Sequence, residues 1–439
     1  MQISVIGTGY LGATHAACLA HWGHDVVGLD REESRVACLA QGRAPFHEPG
    51  LDDLLRDGQH AGRLQFTTDP AAIGDCEVHF LCVGTPQCAG GDAADLSAVR
   101  AAADTVARVH HRPALVVGKS TVPVGTAQTM GARLREQSDG RLGLAWNPEF
   151  LREGQAVSDS LHPERVVLGT DRAQDDTLLR RLYAPLVHAG VPVVSTDLAT
   201  AELAKASANL MLAARISVVN LLAEVCEAAG GDAADLTRIL GLDSRIGRHM
   251  LVPGIGYGGG CLPKDSRAFA ARAAELGVEG AAALVAEIDR VNHHQVERTV
   301  AIAHDLLDGP LQGARIGVLG AAFKGNSDDL RESPAVAVCR LLLDAGARLS
   351  VFDPAAAGKL RRELPEVSVA EGAEAACSGA DLVLVLTDWS QFADLDPAQL
   401  VGSVGGTRPT VLDGRQVLDA QKWRAAGWRV YTLGSGEAA

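Results

Sequence analysis

A cysteine stands directly after three glycines in "GIGYGGGCLPKDSRAF", residues 254 to 269. Pro263 suits the first turn of a helix running through "KDSRAFAARAAELG", so we expect Cys261 just before a helix N-terminus. Unpaired backbone amides at that position, with Lys264 nearby, stabilise a thiolate and lower the pKa of a thiol. The glycines at 258 to 260 would let the backbone approach a ligand without Cβ clashes. A lone cysteine is more often a small buried hydrophobe, but this setting favours a nucleophile.

Lys205 and Asn209 stand four residues apart in the run from 197 to 230, which consists of good helix formers without proline. Four residues are about one helical turn, so the two side chains share one face. An ammonium beside an amide can stabilise a developing oxyanion, whereas the alternative is an ordinary solvated helix face. The same run is apolar on more than one face ("LMLAARISVVNLLAEV"), which predicts a homodimer built on this helix.

Two further segments carry oxygen-bearing side chains. "WNPEFLREG" contains Glu149 and Glu153, also four apart; if the segment is helical they share a side and one could act as a base, and otherwise they are surface acids. "KSTVPVGT" comes after an apolar strand and places Thr121 at its carboxyl end, where open α/β sheets bind ligands.

The first thirty residues contain a dinucleotide fingerprint, in "ISVIGTGYLGATHAACLAHWGHDVVGLD". Gly7 permits a tight turn after a strand, Gly9 lets the backbone approach a pyrophosphate, and Gly12 lets helix and strand pack closely. A purely structural turn is the alternative, but the flanking strands favour cofactor binding. The segment therefore predicts a Rossmann-like dinucleotide site and an oxidoreductase.

Asp30 ends the second predicted strand, where its carboxylate can accept hydrogen bonds from the adenosine ribose hydroxyls. The same charge would repel a 2′-phosphate, which favours NAD over NADP. Arg31 and Arg35 come shortly after it and keep NADP open as the alternative.

Apolar runs alternate with amphipathic stretches over residues 1 to about 195, and the strand pattern resumes at about residue 314. This alternation predicts an α/β fold with two Rossmann-like, doubly wound parallel-sheet domains joined by a long central helix. "DGPLQG", residues 308 to 313, is the expected boundary loop. The expected domains are an NAD-binding domain over 1–196, a central helical domain with the cysteine loop over 197–307, and a C-terminal domain over 308–439.

Composition excludes several partners. Forty basic residues against 54 acidic ones give a net charge of −14, which argues against nucleic acid or an anionic membrane as the main partner. No unbroken apolar run reaches the ~18 residues of a membrane span, and the N-terminus shows no secretory signal. Nine scattered cysteines fit reduced thiols in a cytoplasmic protein, and no CxxC pair or His cluster suggests a metal site.

With these motifs in order, the sequence resembles the UDP-glucose/GDP-mannose dehydrogenase family over nearly its whole length. The matching stretches are "GTGYLG", "GTP" (84 to 86), "KSTVPVGT", "NPEFLREG", "ELAKASAN", "RIG" (245 to 247), "GYGGGCLPKD", "KGNSDDLRESP" (324 to 334) and "DGR" (413 to 415). "HPERVVLG" and "PGIGYGGGCLPKD" are most similar to the members that act on UDP-glucose. Gly260 departs from the serine that is common in the family.

The resemblance implies roles for individual residues. The implied catalytic residues are Cys261 as nucleophile, Lys205, Asn209, Asp265 and Thr121 around the reacting carbon, and Glu149 or Glu153 as the base for hydrolysis. The implied NAD-binding residues are Gly7, Gly9, Tyr10, Leu11, Gly12, Asp30, Arg35, Thr85, Thr121, Glu153, Lys264 and Arg331. The implied nucleotide-sugar-binding residues are Glu149, Phe150, Leu151, Arg152, Glu153, Lys205, Asn209, Arg245 (across the dimer), Tyr257, Gly258, Lys324 and Arg415.

The reaction that the resemblance implies is oxidation of a sugar C6 alcohol to a carboxylate with two NAD⁺. A thiolate suits the second oxidation, because its adduct with the aldehyde, a thiohemiacetal, can lose a hydride and leave a thioester. UDP-glucose is the leading substrate, and dTDP-glucose, GDP-mannose and N-acetylated UDP-sugars are the alternatives. A single-hydride hydroxyacid or 6-phosphogluconate-type dehydrogenase would share the fold without needing Cys261, and a non-catalytic nucleotide-sugar-binding regulator would bind both ligands without turnover.

Overall fold

The computed structural model describes residues 1–307, 309–405 and 408–435. The chain divides into two compact units, Met1–Ala208 with Arg267–Val278 and Asn209–Ser266 with Glu279–Ala439. Two helices continue from one unit into the other, so this division does not test the three expected domains, which stay a prediction. Their expected boundary residue Asp308 lies outside the described residues.

One sheet forms the centre of the first unit. Its strands are β1 (Gln2–Ile6), β2 (Asp25–Leu29), β3 (Leu64–Thr67), β4 (Val78–Leu81), β5 (Ala114–Gly118), β6 (Leu142–Trp146), β7 (Val166–Thr170) and β8 (Val193–Thr196). Over the described residues the order is β3-β2-β1-β4-β5-β6-β7-β8. The strands pair in parallel except β6 with β7, so the expected parallel sheet is confirmed with one antiparallel step. The order reverses between β1 and β4, and ligands of open α/β sheets bind at such a switch point.

Helices flank this sheet because its apolar strands need cover on both faces. They are α1 (Tyr10–His21), α2 (Glu33–Ala40), α3 (Leu51–His60), α4 (Ser97–Val109), α5 (Thr126–Gln137), α6 (Ala156–Leu161), α7 (Ala173–Leu182) and α8 (Ala184–His188), with a 3₁₀ turn at Pro70–Ile73. Small side chains of α1, including Ala13, Ala16 and Ala17, are fully buried in the same core as Ile3 and Val5 of β1. Their small size brings the start of α1 close to the sheet edge.

Four helices come after the first sheet, namely α9 (Leu198–Ala229), α10 (Ala233–Gly241), α11 (Leu262–Glu275) and α12 (Glu279–Leu306). The long central helix expected over 197 to 230 is thus confirmed as α9. By length and composition α9 could also cross a membrane, although a core helix of a soluble protein meets the same criteria. Lys205 and Arg215 interrupt the apolar residues of α9, so the helix contains no unbroken apolar run of ~18 residues, although its average hydropathy is high.

The second unit contains another sheet, with strands β9 (Arg315–Leu319), β10 (Arg348–Phe352), β11 (Ser368–Val369), β12 (Leu382–Val385), β13 (Thr410–Asp413) and β14 (Arg429–Thr432). In the described part of the chain its order is β11-β10-β9-β12-β13-β14, with parallel pairing throughout, which repeats the order of the first six strands. Its helices are α13 (Pro334–Asp344), α14 (Ala357–Glu363), α15 (Ala373–Cys377), α16 (Ser390–Ala393), α17 (Pro397–Val401) and α18 (Ala420–Ala425). The predicted fold of two Rossmann-like sheets with a long central helix is therefore confirmed.

Candidate active site

The glycine turn between β1 and α1 has the geometry that a pyrophosphate needs. Gly7 has φ +86°, and a Cβ there would lie 2.8 Å from Val83 Cγ1. A Cβ on Gly12 would lie 1.8 Å from the Gly7 carbonyl oxygen, so only glycine permits this approach of helix to strand. At Gly9 a Cβ would meet no heavy atom within 4 Å, which leaves open space beside the N-terminus of α1.

Asp30 organises the neighbouring edge of β2. Its Oδ2 accepts hydrogen bonds from the Thr8 amide at 2.7 Å and from Arg35 at 2.9 Å, while Oδ1 accepts one from the Glu32 amide at 3.1 Å. Burial raises the pKa of Asp30. The hydrogen bonds from Thr8, Glu32 and Arg35 together lower it by more than burial raises it, so the net pKa is below the ordinary value. Arg35 also pairs with Glu32 at 2.5 Å. These acids around Arg35 would repel a 2′-phosphate, which supports NAD.

Tyr10 connects the glycine turn to the segment after β6. Its hydroxyl donates to the Glu48 carboxylate and accepts from the Gly154 amide, which also donates to Glu48 at 2.8 Å. Burial and the hydrogen bond to Glu48 raise the pKa of Tyr10 well above its ordinary value. The side chain therefore stays a neutral phenol, and Leu11 beside it is half-buried in the adjoining core.

The carboxyl end of β5 holds a buried lysine that sequence reasoning missed. Lys119 donates to Asn147 Oδ1 at 2.9 Å, and Asn147 Nδ2 donates to the Val167 carbonyl at 2.9 Å. Burial lowers the pKa of Lys119. Two residues further on, the Thr121 carbonyl accepts a bond from Thr85 Oγ1 at 2.8 Å. Two of the expected site residues, Thr85 and Thr121, are thus linked at this edge.

The segment carrying Glu149 and Glu153 is a loop between β6 and α6, so the condition of a shared helical face is not met. Glu149 accepts a bond from the Leu151 amide at 2.7 Å, and its Oε1 lies 3.2 Å from Lys205 Nζ. Both side chains of that ion pair are largely buried. The loop, rather than a helix, brings Glu149 to Lys205, whereas Glu153 acts electrostatically on Tyr10.

Arg152 and Phe150 have partners within the first unit. Arg152 forms a two-pronged ion pair with Asp159, at 2.6 and 2.9 Å, and its side chain is mostly exposed. The Phe150 ring lies 3.9 Å from the Arg165 guanidinium carbon and 5.8 Å from Lys205 Nζ. Phe150 therefore covers the lysine, and Arg152 stabilises the loop.

In the second unit, Cys261 is exposed and lies directly before the first residue of α11. Its carbonyl accepts the Asp265 amide at 2.9 Å and so closes the first helical turn. Several other thiols are buried, and burial raises the pKa of Cys18, Cys82 and Cys339 to about 12. Solvent access and the helix N-terminus set Cys261 apart from these inert thiols.

Asp265 lies one turn after Cys261 and is almost fully buried. Its Oδ2 accepts a bond from Asn209 Nδ2 at 2.6 Å, and its Oδ1 is paired with Lys264. The aspartate therefore fixes the orientation of the Asn209 amide of α9.

At positions 258 to 260, before Cys261, neighbouring protein atoms leave little room for a side chain, whereas the sequence pattern predicts that glycine there admits a ligand. A Cβ on Gly258 would lie 2.1 Å from the Glu332 carbonyl oxygen, and one on Gly260 would lie 2.3 Å from Arg331 Cζ. Gly259 has φ +86° and faces the Phe323 ring. The expectation that the glycines make room for a ligand is thus incomplete, because the segment 323 to 332 occupies the space a side chain would need. Ser at 260, common in the family, would require the Arg331 guanidinium, whose side chain is mostly exposed, to move from this position.

The remaining expected nucleotide-sugar residues occupy varied surroundings in the second unit. Arg415 is half-buried and donates to the carbonyls of Leu386 at 3.0 Å and Gly256 at 2.9 Å, and desolvation of its guanidinium lowers its pKa. Tyr257 donates to Asp289 at 3.1 Å. Lys324 Nζ lies 5.5 Å from the centroid of the Phe323 ring.

Two arginines expected at the ligands are paired with nearby acids. Arg331 forms a two-pronged bond with Asp329, with a shortest distance of 2.6 Å. Arg245 pairs with Asp243 at 2.6 Å, yet its side chain is 87% exposed, so it can reach outward from its loop. Among the described residues, no three His, Cys, Asp or Glu side chains are grouped as metal ligands would be.

Glu202 is a buried acid that sequence reasoning overlooked. It lies three residues before Lys205 in "ELAKASAN", on the same helical face, and that spacing was the available signal. Both of its oxygens accept backbone amides at the start of α5.

A fingerprint turn, an acid at the end of β2 and a second sheet of the same strand order place the protein among the dinucleotide-dependent oxidoreductases. Three domain models of the UDP-glucose/GDP-mannose dehydrogenase family match in order: the NAD binding domain over residues 1–187, the central domain over 199–294 and the UDP binding domain over 317–420. The chain belongs to this family, and its cofactor is NAD.

Proteins of this family are similar to this chain over nearly its whole length. A UDP-glucose 6-dehydrogenase of Haloferax volcanii is 43% identical over 90% of this chain and 93% of its own. A UDP-glucose 6-dehydrogenase of Rhizobium meliloti is 37% identical over 99% of both chains. The solved UDP-glucose dehydrogenase of Pyrobaculum islandicum has a TM-score of 0.89 at 37% identity, covering 99% of this chain and 98% of its own.

Proposed function

We propose that this protein oxidises the C6 alcohol of UDP-glucose to the carboxylate, with reduction of two NAD⁺ and consumption of one water. The observation that carries the proposal is the exposed Cys261 at the start of α11, one turn before the Asn209–Asp265 pair. A single-hydride dehydrogenase needs no such thiol. The names of the relatives, UDP-glucose 6-dehydrogenases, support the choice of substrate.

NAD⁺ supplies the hydride acceptor, and the turn of Gly7, Gly9 and Gly12 with Asp30 fits its pyrophosphate and ribose. Oδ1 of Asp30 accepts the Glu32 amide and keeps capacity for a ribose hydroxyl. Tyr10, Leu11, Arg35, Thr85, Lys264 and Arg331 are proposed to complete the cofactor site.

In the proposed reaction, the C6 alcohol first loses a proton and a hydride to become an aldehyde. Lys205 and Asn209 stabilise the negative charge on that oxygen, and Asp265 fixes the Asn209 side chain by accepting one of its amide N–H groups. Cys261 Sγ then adds to the aldehyde carbon, forming a C–S bond, and the adduct loses a second hydride to give a thioester. Thr121 is proposed to lie beside this carbon.

Water then hydrolyses the thioester, so that a C–O bond forms, the C–S bond breaks and the thiolate is regenerated. Glu149 and Glu153 are the candidate bases. Glu149 is already paired with Lys205 at 3.2 Å, which places a base next to the oxyanion donor. Phe150, Leu151, Arg152, Tyr257, Gly258, Lys324, Arg415 and the outward-pointing Arg245 are proposed to hold the nucleotide sugar.

Counting NADH released per sugar tests this function. We expect two NADH per UDP-glucose without free aldehyde, and slower turnover of dTDP-glucose, GDP-mannose and N-acetylated UDP-sugars. One NADH per substrate would identify a single-hydride dehydrogenase, and binding without NADH formation would identify a regulator.

We also infer that the protein is a soluble, cytoplasmic homodimer assembled through α9. Met211, Val218, Leu221 and Val225 are all exposed, with Met211 at 70%. Their intervals of seven, three and four residues place them in one stripe of the helix. A second copy of the same stripe gives a self-complementary cover, as two-fold interfaces require.

Sedimentation can test the dimer through a matched pair of variants. Val218→Asp is expected to shift the protein to monomers, whereas Leu341→Asp, at another exposed apolar position on α13, leaves the dimer intact. A wild type that sediments as a fully active monomer would refute the assembly.

A further inference from the structure

Glu202 holds the first turn of α5 from the side of the central helix. Its Oε2 accepts the Gly125 amide at 2.7 Å and its Oε1 accepts the Ala127 amide at 2.6 Å. The residue is only 2% exposed. Amides at the start of a helix have no intrahelical acceptor, so one carboxylate here satisfies two donors at once.

A second side chain fixes the same turn. Arg272 of α11 donates through Nε to the Val124 carbonyl at 2.9 Å and pairs with Glu275 at 2.7 Å. Gly125 itself has φ +96°, and a Cβ there would lie 3.2 Å from Arg272 Nη2. The turn at 124 to 127 is therefore held by the carboxylate of Glu202 on α9 and the guanidinium of Arg272 on α11.

Both ends of this contact lead to residues of the proposed mechanism. Thr121 lies four residues before Gly125 in the same loop, and Lys205 lies three residues after Glu202 on α9. We propose that Glu202 is a positioning residue, which fixes the loop of Thr121 against the turn of α9 that carries Lys205. This inference rests on the proposed function, because it concerns the geometry of that reaction.

The charge on Glu202 gives the contact a pH dependence. Burial raises its pKa by more than the amides of Ala127 and Gly125 and the charge of Arg272 lower it, so that the net pKa of Glu202 is about 7. Arg272 is the charged group facing it from α11, α5 contributes the two amides, and Lys205 lies on its own helix. Above this pKa both oxygens accept amides. Below it one oxygen carries a proton and accepts poorly, so the loop is held less firmly in acid.

Hydrogen exchange tests the contact without substrate. In Glu202→Gln, the side-chain NH₂ must face one of the two amides, so we expect at least about tenfold faster exchange of the amides at 125 and 127 at pH 8.5. The matched control is Glu227→Gln on the same helix, whose carboxylate accepts the Gly434 amide at 2.5 Å. The control should leave exchange at 125 and 127 unchanged. Unchanged exchange in Glu202→Gln would overturn the inference even if the proposed function holds.

Kinetics across pH separate positioning from a general loss of structure. We expect Glu202→Gln to lower the rate of the first hydride transfer by about thirtyfold at pH 9, with KM for UDP-glucose changed by less than about threefold. At pH 6 the wild type is itself protonated at Glu202, so the ratio of the two rates should shrink to below about threefold. A ratio that stays constant from pH 6 to pH 9 would refute positioning by the charged carboxylate. If neither protein oxidises UDP-glucose, the proposed function fails while the exchange result still stands.

Discussion

The two sheets share one strand order but differ in the segment after their first strand. After β1, Gly7 turns the chain at φ +86° and α1 begins at Tyr10. After β9, Gly320 turns it at φ +96°, but α13 begins only at Pro334. The first sheet therefore presents a helix N-terminus at the switch point, whereas the second presents a long loop.

The two sheets also differ in the aspartate that follows their second strand in chain order, which is Asp30 after β2 and Asp353 after β10. Asp30 accepts one amide on Oδ1, which leaves that oxygen able to accept a ribose hydroxyl. Asp353, after β10, accepts the amides of Ala321 and Ala322 on Oδ2 and those of Ala355 and Ala356 on Oδ1. Trp389 Nε1 also donates to Oδ2 at 3.3 Å, so both oxygens of the Asp353 carboxylate are occupied by donors of the protein itself. Equal strand order does not imply an equal site, because the loops decide which groups stay available.

The largest effect on activity is expected from a substitution of Cys261, in the glycine loop of the second unit. Cys261→Ala should fold and bind NAD⁺ and UDP-glucose, yet lower the rate of UDP-glucuronate formation by more than about a thousandfold, since no thiol adduct forms. Stopped-flow NADH absorbance and calorimetry measure the two properties. Sustained release of two NADH per sugar by this variant would end the covalent mechanism.

Asp353→Asn should act on stability rather than on ligand binding. Asparagine has a single acceptor oxygen, so at least one buried amide loses its partner and we expect a loss of about 2–4 kcal/mol in the free energy of unfolding. Denaturant titration, together with calorimetry using NAD⁺, measures both quantities. A weakened NAD⁺ affinity at unchanged stability would mean that the second acid is also a ligand and would remove the contrast.

Asp30→Ala should act on NAD⁺ binding in addition to any loss of stability from the Thr8 and Glu32 amides that it leaves without their acceptor. Losing a charge-assisted bond to the ribose is expected to weaken NAD⁺ binding by about 1.5–3 kcal/mol, or about ten- to over a hundredfold. Nucleotide-sugar affinity should change little. Equal losses for both ligands in calorimetry would assign Asp30 a structural role like that of Asp353.

Gly9→Ala is the mildest change and the most local. Because a Cβ at this position meets no heavy atom within 4 Å, the unfolding free energy should shift by less than about 0.5 kcal/mol. NAD⁺ affinity should fall by about tenfold, because the methyl group would occupy space beside the pyrophosphate. Gly12→Ala is the contrasting variant, since its Cβ would overlap the Gly7 carbonyl oxygen and destabilise the fold. Equal melting temperatures for the two variants would contradict this account of the turn.

Much of the fold could be predicted because apolar runs and glycine turns carry local information. The strands β1, β2, β4 and β5, α9 and the strands of the second sheet other than β11 all coincide with such runs. The strands β3, β6, β7 and β8 were not predicted individually, and the pairing of β6 with β7 is the antiparallel step, which depends on contacts far apart in sequence.

The positions of site residues could be predicted where one motif sufficed, as for Cys261 directly before α11 and Asp30 directly after β2, while their roles stay proposals. The Glu149–Lys205 pair was not, because it depends on a loop conformation that a four-residue spacing does not encode. The reason for the glycines before Cys261 was also hidden, since their neighbours Phe323, Arg331 and Glu332 lie more than sixty residues away in the chain. Lys119 donates to the Asn147 side chain, a partner that no spacing in the sequence identifies, whereas the position of Glu202 three residues before Lys205 was an available signal.

The packing of the glycine loop against residues 323 to 332 makes the two segments epistatic. A side chain at 258 cannot be accommodated while the Glu332 carbonyl stands 2.1 Å from its Cβ position, whatever sugar the substrate carries. A library randomised only around Cys261 would therefore sample folding defects before it sampled new specificities. Directed evolution toward another sugar should draw its successful variants from libraries in which both segments vary together, so that each new side chain arrives with the space it needs.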